Sequence, residues 1–279
     1  MTPLVRRFCA ALLPLCALTA PSAQAMASNA GQAMTEDRLA HILTAPHRSA
    51  ANRARDIWRH PAETLRFFGV QPGMTVVEVL PGGGWYTEIL APYIGPNGKI
   101  YAAHYAPTSP NAAKAVESYR AKLAASPTLY GNVTITALGK GSTDIAPDGS
   151  ADMVLTFRNI HNMYMGGWAP EAFAAFYRAL KPGGVLGIVE HRMPESRSDN
   201  EMQKSGYMKV STVRALAEAA GFTYVGASEI NANPRDTSDH VGGVWSLPPT
   251  LRGGDTDRAK YEAIGESDRM TLKFIKPAS

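Results

Sequence analysis

Cysteine is nearly missing from this sequence of 279 residues: it has two, Cys9 and Cys16, both close to the N-terminus. The remainder, without a thiol, can form no disulfide, no thiolate metal site and no cysteine nucleophile. Runs of one charge are missing too. The formal net charge is only +4, and no lysine or arginine cluster reads as a nucleic-acid footprint. Nor does the apolar run from Phe8 to Ala20 reach the roughly 20 residues that a spanning helix needs. What is present is a hydrophobic fraction of 45% with 19% charged residues, enough for a real core in one large domain with appendages.

The first 25 residues form a unit of their own. Arg6-Arg7, the short apolar run and the small-x-small ending Ala23-Gln24-Ala25 predict a secretory signal peptide and a periplasmic or secreted protein without a stable membrane anchor. Arg6-Arg7 also permits a twin-arginine reading, against which Phe8 follows directly. A buried N-terminal helix is the other alternative, and Pro14 and Pro21 suit it badly. Removal of this segment would take the charge from +4 to +2, which points to no acidic partner.

Residues 26–70 read as a helical extension after a polar lead. Thr35 caps a helix carrying Leu39, Ile42 and Leu43, Arg48 to Trp58 is a second candidate, and Pro61 begins a third that runs to Phe68. From residue 71 onward short apolar runs alternate with helical ones. Strands are expected at Met74–Leu80, Lys99–His104, Asn132–Leu138, Asp152–Phe157, Val185–Glu190, Phe222–Ile230 and Met270–Lys276, and helices at Gly84–Tyr93, Asn111–Ala125, Ala169–Leu180 and Thr212–Ala220. Unbroken runs such as VVEVL suit strands buried on both faces, so the pattern predicts a doubly wound, Rossmann-like, mostly parallel sheet of about seven strands in an α/β domain spanning 71–279. The long connection 231–269, with Trp245, Leu247 and Leu251, is expected to pack on the open edge of a site.

In such a sheet ligands bind outside the carboxyl ends of the strands. The first strand runs into Gly82-Gly83-Gly84, a turn that lets a ligand approach the backbone, or a plain strand-to-helix corner. The fourth ends in Arg158-Asn159-Ile160-His161 and the fifth in Glu190-His191. So many polar groups after buried strands form either a mutually satisfied network or a functional crevice. In the second case His161 is a general base, oriented by Glu190 or His191. The same side chains, with Asp239 or His240, could instead ligate a divalent metal, although nothing in their spacing is metal-specific. Trp85 and Tyr86 are pocket wall or core. Arg53, Arg55 and Arg59 with Asp56 read as a solvated helix face, the alternative being a cap over the site.

Taken together, VVEV with its glycines, Ala151-Asp152-Met153-Val154-Leu155, Leu180-Lys181-Pro182-Gly183-Gly184-Val185-Leu186 and Ala219-Ala220-Gly221-Phe222 resemble the ordered signposts of class I S-adenosylmethionine-dependent methyltransferases over roughly residues 72–230. More narrowly, the chain resembles exported methyltransferase-like proteins that carry a GESDRMTLKF segment, here Gly265 to Phe274. The resemblance implies S-adenosylmethionine as cofactor, a small-molecule acceptor, and cofactor contacts at Glu78, Gly82, Gly83, Gly84, His104, Asp144 and Asn159. The sequence departs from the family at three of these places. Leu80 stands at the first motif glycine, where Pro81 is expected to hold it extended. His104 stands where an acidic residue would hold the ribose, and Lys140 stands near the adenine end, with Asp144 as a substitute. These departures keep open a degenerate fold that binds a small molecule without methyl transfer, and metal-assisted chemistry at His161 and His191.

Overall fold

In a computed structural model, residues 37–278 are described; the expected signal segment lies outside them. The described residues begin with α1 (37–44). Two single-turn helices, α2 (Ala50–Arg53) and α3 (Asp56–Arg59), and then α4 (Pro61–Phe68) lead to β1 (Thr75–Val79). There follow α5 (Thr87–Ile94), β2 (Lys99–Tyr105), α6 (Pro110–Ala124), α7 (Pro127–Tyr130), β3 (Val133–Leu138) and β4 (Ala151–Phe157). Next come α8 (Ile160–Met165), α9 (Ala169–Ala179), β5 (Leu180–His191), α10 (Asp199–Ser205), α11 (Val210–Ala219) and β6 (Thr223–Ser228). The chain closes with α12 (Arg258–Ile264) and β7 (Arg269–Ile275).

The seven strands form one sheet in the order β3-β2-β1-β4-β5-β7-β6, with β7 antiparallel to both neighbours and every other pairing parallel. Alternation along β1 shows why its apolar run is unbroken: Val77 and Val79 enter a core on one face, while Val76 enters a second core on the other. The first core is completed by Phe173 and Phe176 of α9 and Val213 of α11, the second by Leu65 and Phe68 of α4 and Ile89 and Leu90 of α5. Local signals act where expected. Ser109 caps α6, which starts at Pro110, and Ser198 with Glu201 forms a capping box on α10.

The helix expected over Arg48–Trp58 is a correction: α2 and α3 are separate turns. Arg48 pairs with Asp56 at 2.7 Å and Arg55 with Glu266 at 2.6 Å, and these tertiary ion pairs hold the chain in a bent path. His60, at φ 38°, ends α3 and Pro61 starts α4. The connection 231–269 is an ordered strap: Asn231 is buried and donates to Thr64 Oγ1 at 3.0 Å and Thr271 Oγ1 at 2.9 Å.

The end of the strap is tightly fitted. Gly265 has φ 88°, and a Cβ there would stand 2.3 Å from the Trp58 ring. With ψ −156° it lies in a region essentially reserved for glycine, where another residue costs about 1–3 kcal/mol, and forced overpacking costs about 1–3 kcal/mol more. Gly265→Ala should therefore destabilise the chain by about 2–6 kcal/mol. A urea midpoint indistinguishable from wild type would refute this account of the junction.

Candidate active site

The carboxyl ends of β1, β4 and β5, neighbours in the sheet, open into a cavity of about 420 Å³. Its floor is the turn after β1. Leu80 continues the ladder by donating its N–H to Ala103 O at 2.8 Å, yet it takes φ 46°, so the extended geometry expected from Pro81 is corrected. The backbone needs a left-handed residue at this place whichever side chain occupies it, and burial of Leu80 in the core holds it there. Gly82, at φ 59°, and Gly83 line the cavity, and a Cβ on either would meet nothing within 4 Å. Gly84 is different: its Cβ would meet Tyr119 of α6 at 3.0 Å, so packing rather than a ligand requires it, and it does not line the cavity.

His104 lies beneath the turn with both ring nitrogens engaged. Nδ1 accepts the Tyr105 N–H at 2.8 Å, so Nε2 carries the proton and donates to Gly82 O at 3.1 Å. Its expected role as a ribose contact is therefore corrected: it braces the glycine turn, and Tyr105 lines the cavity in its place. Burial lowers its pKa, which favours the neutral ring that this pattern requires. Lys122 of α6 clamps the same turn, donating to Gly83 O at 2.7 Å and Glu88 Oε1 at 2.7 Å. Glu78 lines the cavity and accepts from Thr87 Oγ1 at 2.6 Å; burial pushes its pKa up to about 7, against the lowering effect of that bond.

Across the cavity stand the residues at the ends of β4 and β5. Asn159 donates to Val79 O at 3.0 Å and so ties the end of β4 to that of β1. Glu190 is buried and accepts three N–H bonds: His161 Nδ1 at 2.9 Å, His161 N at 3.2 Å and His191 N at 2.7 Å. The carboxylate sets the tautomer of His161, with the proton on Nδ1 and the lone pair of Nε2 left for the cavity that the ring lines. His191 is held apart from this pair, its Nδ1 against Ser267 Oγ at 2.5 Å. Burial, then the adjacent His161 and the positive charges of Arg269, Arg158 and Arg59, hold its pKa well below the usual range. Of the two expected orienting groups, Glu190 makes the contact to His161.

The basic residues of the N-terminal extension are not the solvated face expected of them. Arg55 and Arg59 line the cavity and pair with buried Glu266 at 2.6 Å and 3.1 Å; Arg269 is the third partner of that carboxylate. Burial would raise the Glu266 pKa, but Arg269, Arg59, Arg158 and Arg55 outweigh it and hold the group well below the usual carboxylate range. Trp85 donates to Asn52 O at 3.1 Å and carries Arg59 over its ring at 4.6 Å, while Tyr86 stacks on Phe157 at 3.5 Å. Trp245 of the strap faces His161 with ring centres 6.1 Å apart, and Pro248 and Pro249 complete the rim.

One expected contact, Asp144, lies elsewhere, as does Lys140, the departure from the family pattern beside it. Asp144 is fully exposed, 4.0 Å from Arg178, and does not line the cavity; Lys140 projects from a two-residue turn closed by Gly139 and Ser142. Both fall after β3, beyond the strands whose ends form the cavity. His161, Glu190 and His191 do offer ligand atoms within 4.8 Å of one another. Glu190 and the two Nδ1 atoms already satisfy one another or Ser267, and the arginines beside them oppose a cation. His240 pairs with Asp236 at 2.8 Å, and exposed Asp239 with Thr237 at 2.5 Å, so neither joins the group.

Sequence order, strand order with an antiparallel seventh strand, and a glycine turn opposite a polar β4 end define the class I S-adenosylmethionine-dependent methyltransferase fold. The chain superposes on a S-adenosylmethionine-dependent methyltransferase of Aquifex aeolicus with TM-score 0.55 and 17% identity, covering 86% of this chain and 98% of that one. It superposes on the (4+2)-cyclase SpnF with TM-score 0.60 and 18% identity, covering 93% and 98%. In sequence it is 28% identical over 142 residues to a demethylmenaquinone methyltransferase of Lactococcus lactis subsp. lactis (strain IL1403). That match covers 51% of each chain, so the chain spans about half the length of the curated relative it matches. No family model matches the chain.

Glu78 makes the turn testable by pH. Its folded pKa, about 7, lies above the ordinary value of 4.5, so its contribution to stability is complete below about 4.5 and is lost as pH rises through about 7. Relative to Glu78→Gln, which cannot ionise, wild type should lose up to about 1.4 kcal/mol per pH unit between pH 5 and 7. Urea titrations at several pH values measure this, and parallel curves would mean that Glu78 is already ionised in the fold.

Proposed function

We propose that this chain is an exported S-adenosylmethionine-dependent methyltransferase acting on a small molecule. One observation carries the reading: an open glycine turn and a carboxylate-oriented histidine face each other across a single cavity. Gly82 and Gly83 leave space at the turn where any other side chain would intrude, which suits a cofactor lying against the backbone. The fit is closest at this end, because no carboxylate stands at the end of β2. Bound there, S-adenosylmethionine would supply an electrophilic methyl group. Glu78 and the turn would position it, and Tyr86, Phe157 and Trp245 would keep water from the acceptor. His161 Nε2 would take the acceptor's proton, and Glu190 would stabilise the resulting imidazolium. Export is supported by residues 6–25 of the sequence alone.

A second reading is binding without transfer. It is favoured by His104, which is engaged under the turn instead of reaching toward a ribose. The two separate by titration of the full-length chain. Saturation with the cofactor or its demethylated product at about one hundred times the dissociation constant should stabilise the fold by about 2.7 kcal/mol. Gly82→Val should abolish the heat of binding by filling the turn; a wild-type chain that gives no heat sinks the methyltransferase reading.

Turnover provides an independent check. Glu190→Gln should lower kcat on an accepted substrate by about 10²–10⁴-fold, the range of a positioned general base, and flatten the pH profile while leaving cofactor affinity unchanged. A kcat within a factor of three of wild type would mean that holding the reactants in line suffices.

A further inference from the structure

The cavity contains more positive charge than its own acids balance. Arg55, Arg59 and Arg158 line it and Arg269 stands behind them, whereas the buried carboxylates at this end are Glu266 and Glu190. Four guanidiniums against two carboxylates leave two charges in excess, and Glu190 is already saturated by three N–H bonds. The donors are not saturated. Among the described residues Nη2 of Arg55, Nη2 of Arg59 and Nε of Arg269 are buried without a hydrogen-bond partner, and the Arg59 side chain is only 3% exposed. The guanidinium of Arg158 donates to no protein group among the described residues. A buried donor left without an acceptor is costly, so an arrangement with several of them is built for something that accepts.

The backbone points the same way. Arg158 sits at φ 63° at the end of β4, three residues before His161, a left-handed conformation that is unfavourable for a long side chain. Its backbone N–H is fixed to Val189 O at 2.7 Å, so the strained residue is held between β4 and β5 at the cavity. Burial, then repulsion from Arg269, lowers the Arg158 pKa to about 10, and burial followed by Arg158 lowers that of Arg59, as expected of buried cations that outnumber the carboxylate Glu266 among them. Guanidinium edges match planar or tetrahedral oxyanions in particular.

We propose that the acceptor methylated here carries a small oxyanionic group, a carboxylate or a phosphate, which docks on Arg158 and the free edges of Arg55 and Arg59 and so brings its nucleophile to His161. The assignment rests on the methyl-transfer reading above. It separates the two ends of the cavity: the glycine turn after β1 takes the cofactor, and the arginine end after β4 takes the acceptor.

The test is anion binding, read without turnover. The melting temperature of the full-length chain is followed against inorganic phosphate and, separately, malonate, at ionic strength held constant with sodium chloride. Each titration is run with and without saturating S-adenosylhomocysteine. A saturable rise with one probe, persisting when the homocysteine compound is bound, is expected, and the stronger probe identifies phosphate or carboxylate. Arg158→Asn, a residue that tolerates positive φ, should weaken that anion at least tenfold and change S-adenosylhomocysteine affinity less than threefold. Arg158→Lys should retain binding and guards against a folding defect in the first variant. An anion effect that disappears once S-adenosylhomocysteine is bound would overturn the proposal by assigning the arginines to the cofactor's own carboxylate. An effect unchanged in Arg158→Asn would overturn it as well. A bound cofactor product with no anion effect removes this proposal alone, whereas failure of the cofactor product to bind removes the methyl-transfer reading together with it.

Discussion

One buried carboxylate joins segments of this molecule that lie more than two hundred residues apart in sequence. Glu266 receives Arg55 and Arg59 from the N-terminal helices and Arg269 from the strand beside it. Glu266 stays ionised at that depth because guanidiniums surround it, and it in turn offsets part of their burial. The arginines that line the cavity therefore depend on residues 55–59 meeting Glu266. The neighbouring residues extend the junction: Ser267 holds His191, and Asp268 pairs with Arg192 at 2.8 Å. Gly265 leaves room for Trp58.

The site divides along the same line. On the glycine side, groups are arranged to hold backbone still: His104 and Lys122 grip the turn from below and from α6, and Asn159 ties β4 to β1. On the arginine side, donors exceed acceptors and His161 presents a free nitrogen. An even, internally satisfied network would have been the bland account of these polar residues. The uneven one, satisfied at the turn and at Glu190 but not at the guanidiniums, is what makes a functional account necessary.

Much of the architecture was legible in the chain. Runs such as TVVEV and ADMVLTF, the proline at the start of α4 and the glycines after β1 all act through local geometry, and the strands stand within a few residues of the expected positions. The turn at Leu80 was misread because the preference of a residue before proline was weighed without the ladder bond that carries Leu80 on to Ala103. His104 was placed by analogy with an acidic position, and its actual partners, Gly82 O and the next residue's amide, are visible only once the turn folds back over β2. Arg55 and Arg59 look like a solvated face because polar residues at helical spacing usually are one, and their partner Glu266 is more than two hundred residues away. The clue is in the segment GESDR: its glutamate meets Arg55 and Arg59, its serine meets His191, and its arginine closes on the glutamate.

By itself the sequence determined the alternation of strand and helix, the burial of the sheet on both faces, and a flexible turn at the mouth of β1, because side-chain period and glycine content act within a few residues. Tertiary structure alone decided which ring nitrogen of His161 is free, which glycine faces open space, and that four arginines gather about two acids. Those properties depend on distances between remote segments, and burial then turns each distance into a charge state or an unmet hydrogen bond that no local pattern contains.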